Sequence, residues 1–341
     1  MTAALTGAVI VLVGVFGFLN GFRDASTSVA LTVRTRALTP RIALVLTATF
    51  NVLGTLTSAW LLKNIGMAFI AVPDGGDGLV LLAATLVAAI LWGVYGWWKG
   101  FPASSTHALV GGLIGASVGL TLLGDRAPSH LDSVFWVSVG LPLVLSPLLA
   151  FGAAFFLTPL VTWMMRYSQP NQAHAGLRAA QSVGASIVAF GHGLQDGQRL
   201  MALFIVTALG SEAGFGEVPV WAAVAAAAAM GAGTLAGGWR ITYTLSHRLV
   251  RVDPLRAFVS QLVTSVMLVF GSLGLHWPLS TTHTVVASVL GAGANQDFAA
   301  VNGPLVVRLI RFWLLTPLTT AVLGFIFGLA FEPFEDLRWR P

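Results

Sequence analysis

A series of long apolar stretches, separated by short polar connections, constrains this chain more than any other feature. A transmembrane helix needs about 20 predominantly apolar residues, and most of the stretches reach that length. They cover residues 3–22, 42–62, 79–98, 108–123, 134–165, 177–194, 218–237, 257–275, 284–293 and 306–331. We therefore expect an all-α polytopic membrane protein with about ten transmembrane or re-entrant segments.

The charge content excludes a water-soluble protein. Only 9% of the 341 residues are charged, whereas a soluble domain carries about 25%. Soluble enzymes are excluded, and the net charge of +5 is spread over many short loops, which argues against nucleic acid as a partner. The absence of cysteine rules out thiol catalysis and Cys-ligated metals. We expect a non-enzymatic protein of the lipid bilayer, without a resident metal or cofactor.

The basic residues predict the orientation of the chain in the membrane. If every apolar stretch reverses the chain, twelve of the 18 Lys and Arg residues lie on one side and five on the other, with Arg23 left inside the membrane. Basic loops favour the cytoplasm, so both termini are expected outside. The Arg-, Ala- and Gly-rich composition favours the plasma (inner) membrane of a bacterium.

Three short patterns occur twice in the same order, at a nearly constant offset of about 175 residues. The matched pairs are 22–24 with 194–196, 54–56 with 233–235, and 102–107 with 278–283. Such recurrence predicts two repeats. The expected division is an N-terminal repeat at 1–165, a cytoplasmic linker at 166–176, a C-terminal repeat at 177–331 and a tail at 332–341.

Each predicted repeat holds five apolar stretches. An odd number inverts the second repeat relative to the first, so we expect two inverted-topology repeats of about five helical segments each. Inverted repeats are typical of secondary transporters, which bind substrate near the membrane midplane. Some channels share this symmetry, so the parity of the segments leaves an uncoupled anion channel open.

Two carboxylates, Asp24 and Asp196, lie within apolar sequence at corresponding positions of the two repeats. A carboxylate inside the membrane is costly, so it is expected to pair with a cation or to relay protons. Each follows a glycine-containing stretch, where we expect the helix to unwind and free carbonyl groups for an ion. With the hydroxyls of Thr27 and Ser28, this predicts a site for Na⁺ or for a proton. The alternative is a pair of helix-end carboxylates at the water interface.

Two Pro-x-Ser-Ser/Thr-Thr-His segments predict an anion site. A serine or threonine there can cap the helix that follows, and a helix that starts inside the membrane directs its unsatisfied N–H groups at the turn. Adjacent hydroxyls suit a tetrahedral oxyanion, and the alternative is two capped loops without a ligand. The candidate residues are Ser104, Ser105, Thr106, Ser280, Thr281 and Thr282.

Three histidines and two arginines accompany these segments. His107 and His283 are expected to form hydrogen bonds within their own hairpins, whereas His192, beside Asp196, is a candidate for a functional role. Arg23 is expected to pair with the neighbouring carboxylate or with an anionic substrate, or else to extend to the interface. Arg199 lies in a more polar segment, which favours an interfacial position.

The sequence resembles the inorganic phosphate transporter (PiT) family in several ordered motifs that cover nearly the whole chain. The motifs are Gly21-Phe22-Arg23-Asp24-Ala25, Thr35-Arg36-Ala37-Leu38-Thr39-Pro40-Arg41, Gly191-His192-Gly193-Leu194-Gln195-Asp196-Gly197-Gln198-Arg199, Gly233-Thr234-Leu235-Ala236-Gly237-Gly238-Trp239-Arg240 and Pro278-Leu279-Ser280-Thr281-Thr282-His283-Thr284. This resemblance implies cation-coupled uptake of inorganic phosphate, with Na⁺ or H⁺ as the coupling ion, by a homodimeric transporter.

The resemblance also implies roles for residues at matching positions. Asp24, Ser28 and Asp196 would bind the cation, the two serine/threonine turns would bind phosphate, and Gln198 would contact either ligand. Three positions depart from the family, which usually has Asn where this chain has Arg23, Thr27 and Gln195. An arginine offers only donors and a fixed charge, so Arg23 would replace one bound cation or hold the anion.

The altered charge leaves two alternatives to phosphate uptake. One is a related symporter for sulfate or another tetrahedral oxyanion. The other is a paralogue that does not transport. Thr27 and Gln195 stay candidates for the cation site in either case.

Overall fold

The computed structural model describes residues 2–65, 72–73, 75–122, 136–210, 213–295 and 300–331. Within these ranges the regular structure is helical, apart from an isolated bridge between Val250 and Val301. The helices are α1 (Thr2–Arg34), α2 (Pro40–Ile65), α3 (Gly76–Lys99), α4 (Ser105–Leu122), α5 (Leu141–Met164), α6 (Pro170–Leu209), α7 (Val220–Ala236), α8 (Trp239–Tyr243), α9 (Pro254–Leu273), α10 (Thr281–Ala294) and α11 (Gly303–Phe331). A π-helical turn precedes α5 at Trp136–Gly140, and another extends α8 at Thr244–Arg248. The predicted tail at 332–341 lies outside the described residues.

The helices confirm an all-α polytopic membrane protein. In the described ranges, seven helices are long and apolar enough to cross a membrane. An eighth span is formed if α7 and the segment Trp239–Arg248 act together across their bend of 56°. The predicted stretch 284–293 falls within α10, whose 14 residues are too short to cross a bilayer core of about 30 Å.

Helices from the first half of the chain pack mainly on helices from the second half. Helix α1 packs on α7, α2 on α6, α4 on α11 and α5 on α10. Each of these pairs joins one helix before residue 165 to one after residue 170. This packing is what two interlocked repeats of five segments would produce, and the division at 1–165 and 177–331 stays a prediction.

The helix breaks predicted before the two carboxylates are wrong. Helix α1 runs unbroken from Thr2 to Arg34, and α6 runs unbroken from Pro170 to Leu209. The glycines that suggested unwinding instead allow close helix crossing, because Gly21 lies against the backbone of Met230 in α7 and Gly193 against that of Asn51 in α2. Small residues permit this approach in membranes, where no hydrophobic effect drives helices together.

We expect Gly21→Ala to destabilise the protein, because the added Cβ would lie 2.9 Å from the carbonyl carbon of Met230. Overpacking of this kind costs about 1–3 kcal/mol. Gly14→Ala is the matched control on the same helix, since a Cβ there meets nothing within 4 Å. The measurement is the thermal unfolding midpoint in detergent, and equal midpoints for the two variants would contradict the packing role.

Candidate functional site

The two buried carboxylates meet at the centre of the protein. Asp24 of α1 and Asp196 of α6 are 4% and 3% exposed, which is inconsistent with an interfacial position. The imidazole of His192 lies between them, with Nε2 3.0 Å from Oδ2 of Asp196 and 3.7 Å from Oδ2 of Asp24. One ligand atom from each side chain lies within 4.8 Å of the others. This carboxylate cluster, defined as Asp24, His192 and Asp196, has the donor atoms to hold a cation or a shared proton.

A chain of hydrogen bonds orients the imidazole of His192. The Thr234 hydroxyl donates to the carbonyl of Met230 at 2.8 Å and therefore accepts from Nδ2 of Asn51, also at 2.8 Å. The other end of that amide, Oδ1 of Asn51, faces Nδ1 of His192 at 3.2 Å. Because an amide oxygen only accepts, Nδ1 carries a hydrogen. Nε2 then faces the carboxylates with either a proton or a lone pair.

The two serine/threonine turns cap helices, as predicted. The Ser104 hydroxyl accepts from the backbone N–H of His107, and the Ser280 hydroxyl accepts from that of His283, each at 3.3 Å. Both turns therefore present helix N-termini, which attract anions. The His107 ring also bonds Ser104 at 2.8 Å, which confirms its expected place within the hairpin. The two imidazole rings are in contact, with centroids 4.6 Å apart.

Arg199 occupies the space between the carboxylate cluster and both turns. Its expected interfacial position is wrong, because it lies within the 40-residue helix α6, ten residues before the end, and is only 4% exposed. Its Nη1 donates to Asp196 and, at 2.6 Å, to the hydroxyl of Thr106 in the first turn. Its Nη2 donates to the carbonyl of Leu279 in the second turn at 3.0 Å and to Oε1 of Gln195 at 3.1 Å.

Arg23 has a different partner from the one expected. Its guanidinium donates to the carbonyl of Ala103, and no ion pair joins it to a carboxylate in the part of the chain that the structure describes. Ala103 and Leu279 hold corresponding positions in the two turns, so each turn is tethered by one buried arginine. The carboxylate of Asp24 accepts instead from the Thr282 hydroxyl of the second turn at 2.9 Å.

The other predicted site residues differ in whether their side chains lie at the carboxylate cluster or at the turns. Thr27 donates to the backbone carbonyl of Asp24 at 2.7 Å, so its hydroxyl faces its own helix rather than the cluster. Gln195 donates to the carbonyl of Trp277, beside the second turn, at 3.0 Å. Gln198 is half-buried on α6, and Ser105 is buried in the first turn of α4. The roles assigned to all of these residues stay predictions.

Two predicted hydroxyls and one amide lie in the interior with unused hydrogen-bonding capacity. Among the described residues, the side-chain oxygens of Ser28, Thr281 and Asn20 are buried and accept or donate no hydrogen bond. Unpartnered buried oxygens are uncommon in proteins. Asn20 and Ser28 lie one helical turn on either side of Asp24, at i−4 and i+4, so the three share one face of α1.

Sequence reasoning missed Asn20 and Asn51. Nδ2 of Asn20 donates to Oδ2 of Asp196 at 2.9 Å, and Asn51 orients His192. Both asparagines are isolated polar residues in or beside apolar stretches. The spacing of Asn20 to Asp24, four residues on one helix, was the available signal.

The fold and the site define a polytopic, all-helical membrane protein in which charged and hydroxyl side chains from both halves converge at the centre. A sequence model described as the phosphate transporter family matches residues 20–324. The chain belongs to this family, which confirms the resemblance seen in its motifs.

Curated relatives and one solved structure agree with this assignment. The chain is 32% identical to a probable low-affinity inorganic phosphate transporter of Bacillus subtilis, over 94% of this chain and 96% of that protein. It is 32% identical to a protein of the same description from Rhizobium meliloti, over 91% of each chain. A solved structure titled "The sodium-dependent phosphate transporter" has the same fold, with a TM-score of 0.76 at 21% identity, over 97% of this chain and 99% of that one. The relatives are transporters, which confirms the expectation that the chain is not an enzyme.

We expect Asp196→Asn to destabilise the protein by about 3–5 kcal/mol, because a buried guanidinium loses its carboxylate. The double variant Asp196→Asn/Arg199→Gln removes both charges. Its loss of stability should therefore be smaller than the sum of the losses measured for Asp196→Asn and Arg199→Gln separately. Thermal unfolding in detergent without phosphate measures the coupling of the pair. Simply additive losses would show that the Arg199–Asp196 contact contributes nothing.

Proposed function

We propose that the chain takes up inorganic phosphate through the membrane by alternating access, coupled to an inward flow of Na⁺ or H⁺. The observation that carries this proposal is the direct contact between the candidate cation and anion residues. Thr282 of the second turn donates to Asp24 at 2.9 Å, and Arg199 joins Asp196 to Thr106 of the first turn. Contacts of this kind allow the occupancy of one site to alter the other.

The cation would bind at the carboxylate cluster. Two carboxylates from different helices supply negative charge in a low-dielectric interior, and the unpartnered oxygens of Asn20 and Ser28 share the face of α1 that carries Asp24. Hard oxygens of this type suit Na⁺. His192 places between the two carboxylates an imidazole that can accept or release a proton, so the geometry supports either coupling ion.

The anion would bind at the two helix N-termini. The turns supply backbone N–H groups, serine and threonine hydroxyls, and two nearby guanidinium groups, all of which are donors. Any tetrahedral oxyanion fits such donors. The names of the Bacillus and Rhizobium relatives favour phosphate over sulfate.

The proposed transporter is a homodimer in the plasma membrane of a bacterium, with both termini outside. The family is multi-pass, and the curated relatives in B. subtilis and R. meliloti support a bacterial membrane. The uneven division of basic residues supports the orientation. In the alternating-access step, the helix pairs α4–α11 and α5–α10 would move relative to α1, α2, α6 and α7.

We expect labelled phosphate to enter proteoliposomes under an inward Na⁺ gradient or an inward proton gradient, but not without either. Asp24→Asn should reduce this uptake at least about tenfold, because it removes a charge from the cation site. Asp253→Asn is the matched control, since Asp253 caps α9 far from the cluster in sequence and asparagine caps equally well.

Three results would contradict the phosphate proposal. Uptake of labelled sulfate without phosphate would indicate a different oxyanion. Uptake independent of both gradients would indicate a channel, and the absence of any uptake would indicate a paralogue that does not transport. Full uptake by Asp24→Asn would contradict the cation site alone.

We expect opposite accessibility for two engineered cysteines, Ser168→Cys between α5 and α6 and Glu217→Cys between α6 and α7. The chain has no natural cysteine, and both positions are exposed. In intact bacterial cells a membrane-impermeant maleimide should label Glu217→Cys and leave Ser168→Cys unlabelled. The reverse pattern would invert the proposed orientation.

A further inference from the structure

Among the described residues, Arg199 joins a carboxylate of the cluster to both serine/threonine turns. We propose that this guanidinium is an exchangeable counter-charge. It neutralises Asp196 while the anion site is free. When phosphate binds, the guanidinium moves from the carboxylate to the phosphate. The carboxylate of Asp196 can then bind the coupling cation. The inference rests on the proposed function and adds the order of events: the anion binds first.

The two carboxylate oxygens of Asp196 have different partners. Its Oδ1 accepts from Arg199, whereas its Oδ2 accepts from Asn20 at 2.9 Å and lies 3.0 Å from the imidazole of His192. The amide oxygen of Asn20 is buried and has no hydrogen-bond partner. A guanidinium has only N–H donors and a fixed positive charge, so it excludes a cation from Oδ1.

Apart from Asp196, the guanidinium of Arg199 has only neutral partners. They are the hydroxyl of Thr106 at 2.6 Å, the carbonyl of Leu279 at 3.0 Å and the amide oxygen of Gln195 at 3.1 Å. A tetrahedral oxyanion at the two helix N-termini would replace these with a charged, bidentate acceptor, which is the stronger partner for arginine. Arg199 is therefore placed so that it can exchange a carboxylate for a phosphate.

Arg23 differs from Arg199 in its partners. Both arginines are buried, and each tethers the residue before a capping serine. Arg23 donates to the carbonyl of Ala103, and the described residues include no carboxylate partner for it. Arg23 thus supplies a fixed charge, whereas Arg199 alone competes with a cation for a carboxylate oxygen. Substitution of Arg23 by glutamine provides a control with the same loss of charge.

These contacts make phosphate and cation binding mutually favourable. By linkage, if phosphate opens Asp196 to the cation, the cation tightens phosphate binding by the same factor, which for coupled sites is typically about 5–150-fold. Removal of Arg199 opens the carboxylate permanently. Cation binding then no longer needs phosphate.

The test measures cation binding to the purified full chain in the absence of phosphate. Na⁺ is titrated calorimetrically in choline medium, and proton binding is followed with an indicator dye in weakly buffered solution. We expect Arg199→Gln to bind one of these cations about tenfold more tightly than wild type, and clearly more tightly than Arg23→Gln. A purely structural role would weaken binding instead. Equal affinities in the two glutamine variants would overturn the proposal.

A second readout is the phosphate dissociation constant with and without the coupling cation. The cation should tighten phosphate binding in wild type and have a much smaller effect in Arg199→Gln, where phosphate binding is also weaker. If Arg199→Gln does not fold, Arg199→Met replaces it, because methionine is also unbranched and carries no charge. Cation binding by Arg199→Met that is no tighter than in wild type would then overturn the proposal. Absence of phosphate binding in wild type would count against the proposed function. The cation titration without phosphate would still test whether Arg199 blocks Asp196.

Discussion

Two carboxylates buried in a membrane interior must be compensated by the protein, and the arrangement of the core depends on this constraint. An uncompensated charge there costs several kcal/mol. Asp196 is therefore surrounded by Arg199, Asn20 and His192, and Asp24 by Thr282 and the same imidazole. These partners come from α1, α6 and the second turn. Helices from both halves must meet for the charges to be satisfied.

The close crossing of the helices makes this compensation geometrically feasible. Gly21 and Gly193 let α1 and α6 approach α7 and α2 to backbone contact, which brings Asn51 within hydrogen-bonding reach of His192. The same sequence feature supported a wrong expectation of unwound helices. Glycine lowers the cost of both a helix break and a close helix contact. Which of the two occurs depends on whether another helix packs against the glycine.

The sequence was sufficient for the class of fold, the two carboxylates and the two capping turns, because each rests on local rules: apolar length, an acid in an apolar stretch, and Ser or Thr before a helix. Arg199, Asn20 and Asn51 were missed or misplaced because each has a partner at the site that lies far away in the chain: Thr106 and Leu279 for Arg199, Asp196 for Asn20, and His192 for Asn51. Arg199 was expected near water since its neighbours are polar. Two of those neighbours, Gln195 and Asp196, are polar residues that accept hydrogen bonds from Arg199 in the buried site. Local hydropathy does not distinguish a polar loop from a polar core.

The hydrogen bonds between the halves have a consequence for how such a protein diverges. The hydroxyl of Thr55, which donates to the carbonyl of Asn51 at 2.9 Å, lies 3.6 Å from the sulfur of Met230, and Thr234 accepts from Nδ2 of Asn51 at 2.8 Å. Thr55 corresponds to Thr234 in the matched patterns, and Asn51 corresponds to Met230. Each half thus completes the other with a different residue at the same place. A hybrid gene that joined one half of this chain to the other half of a relative would keep both contacts only if the relative carried the same residues at these positions, so the halves are expected to change together rather than as separate modules.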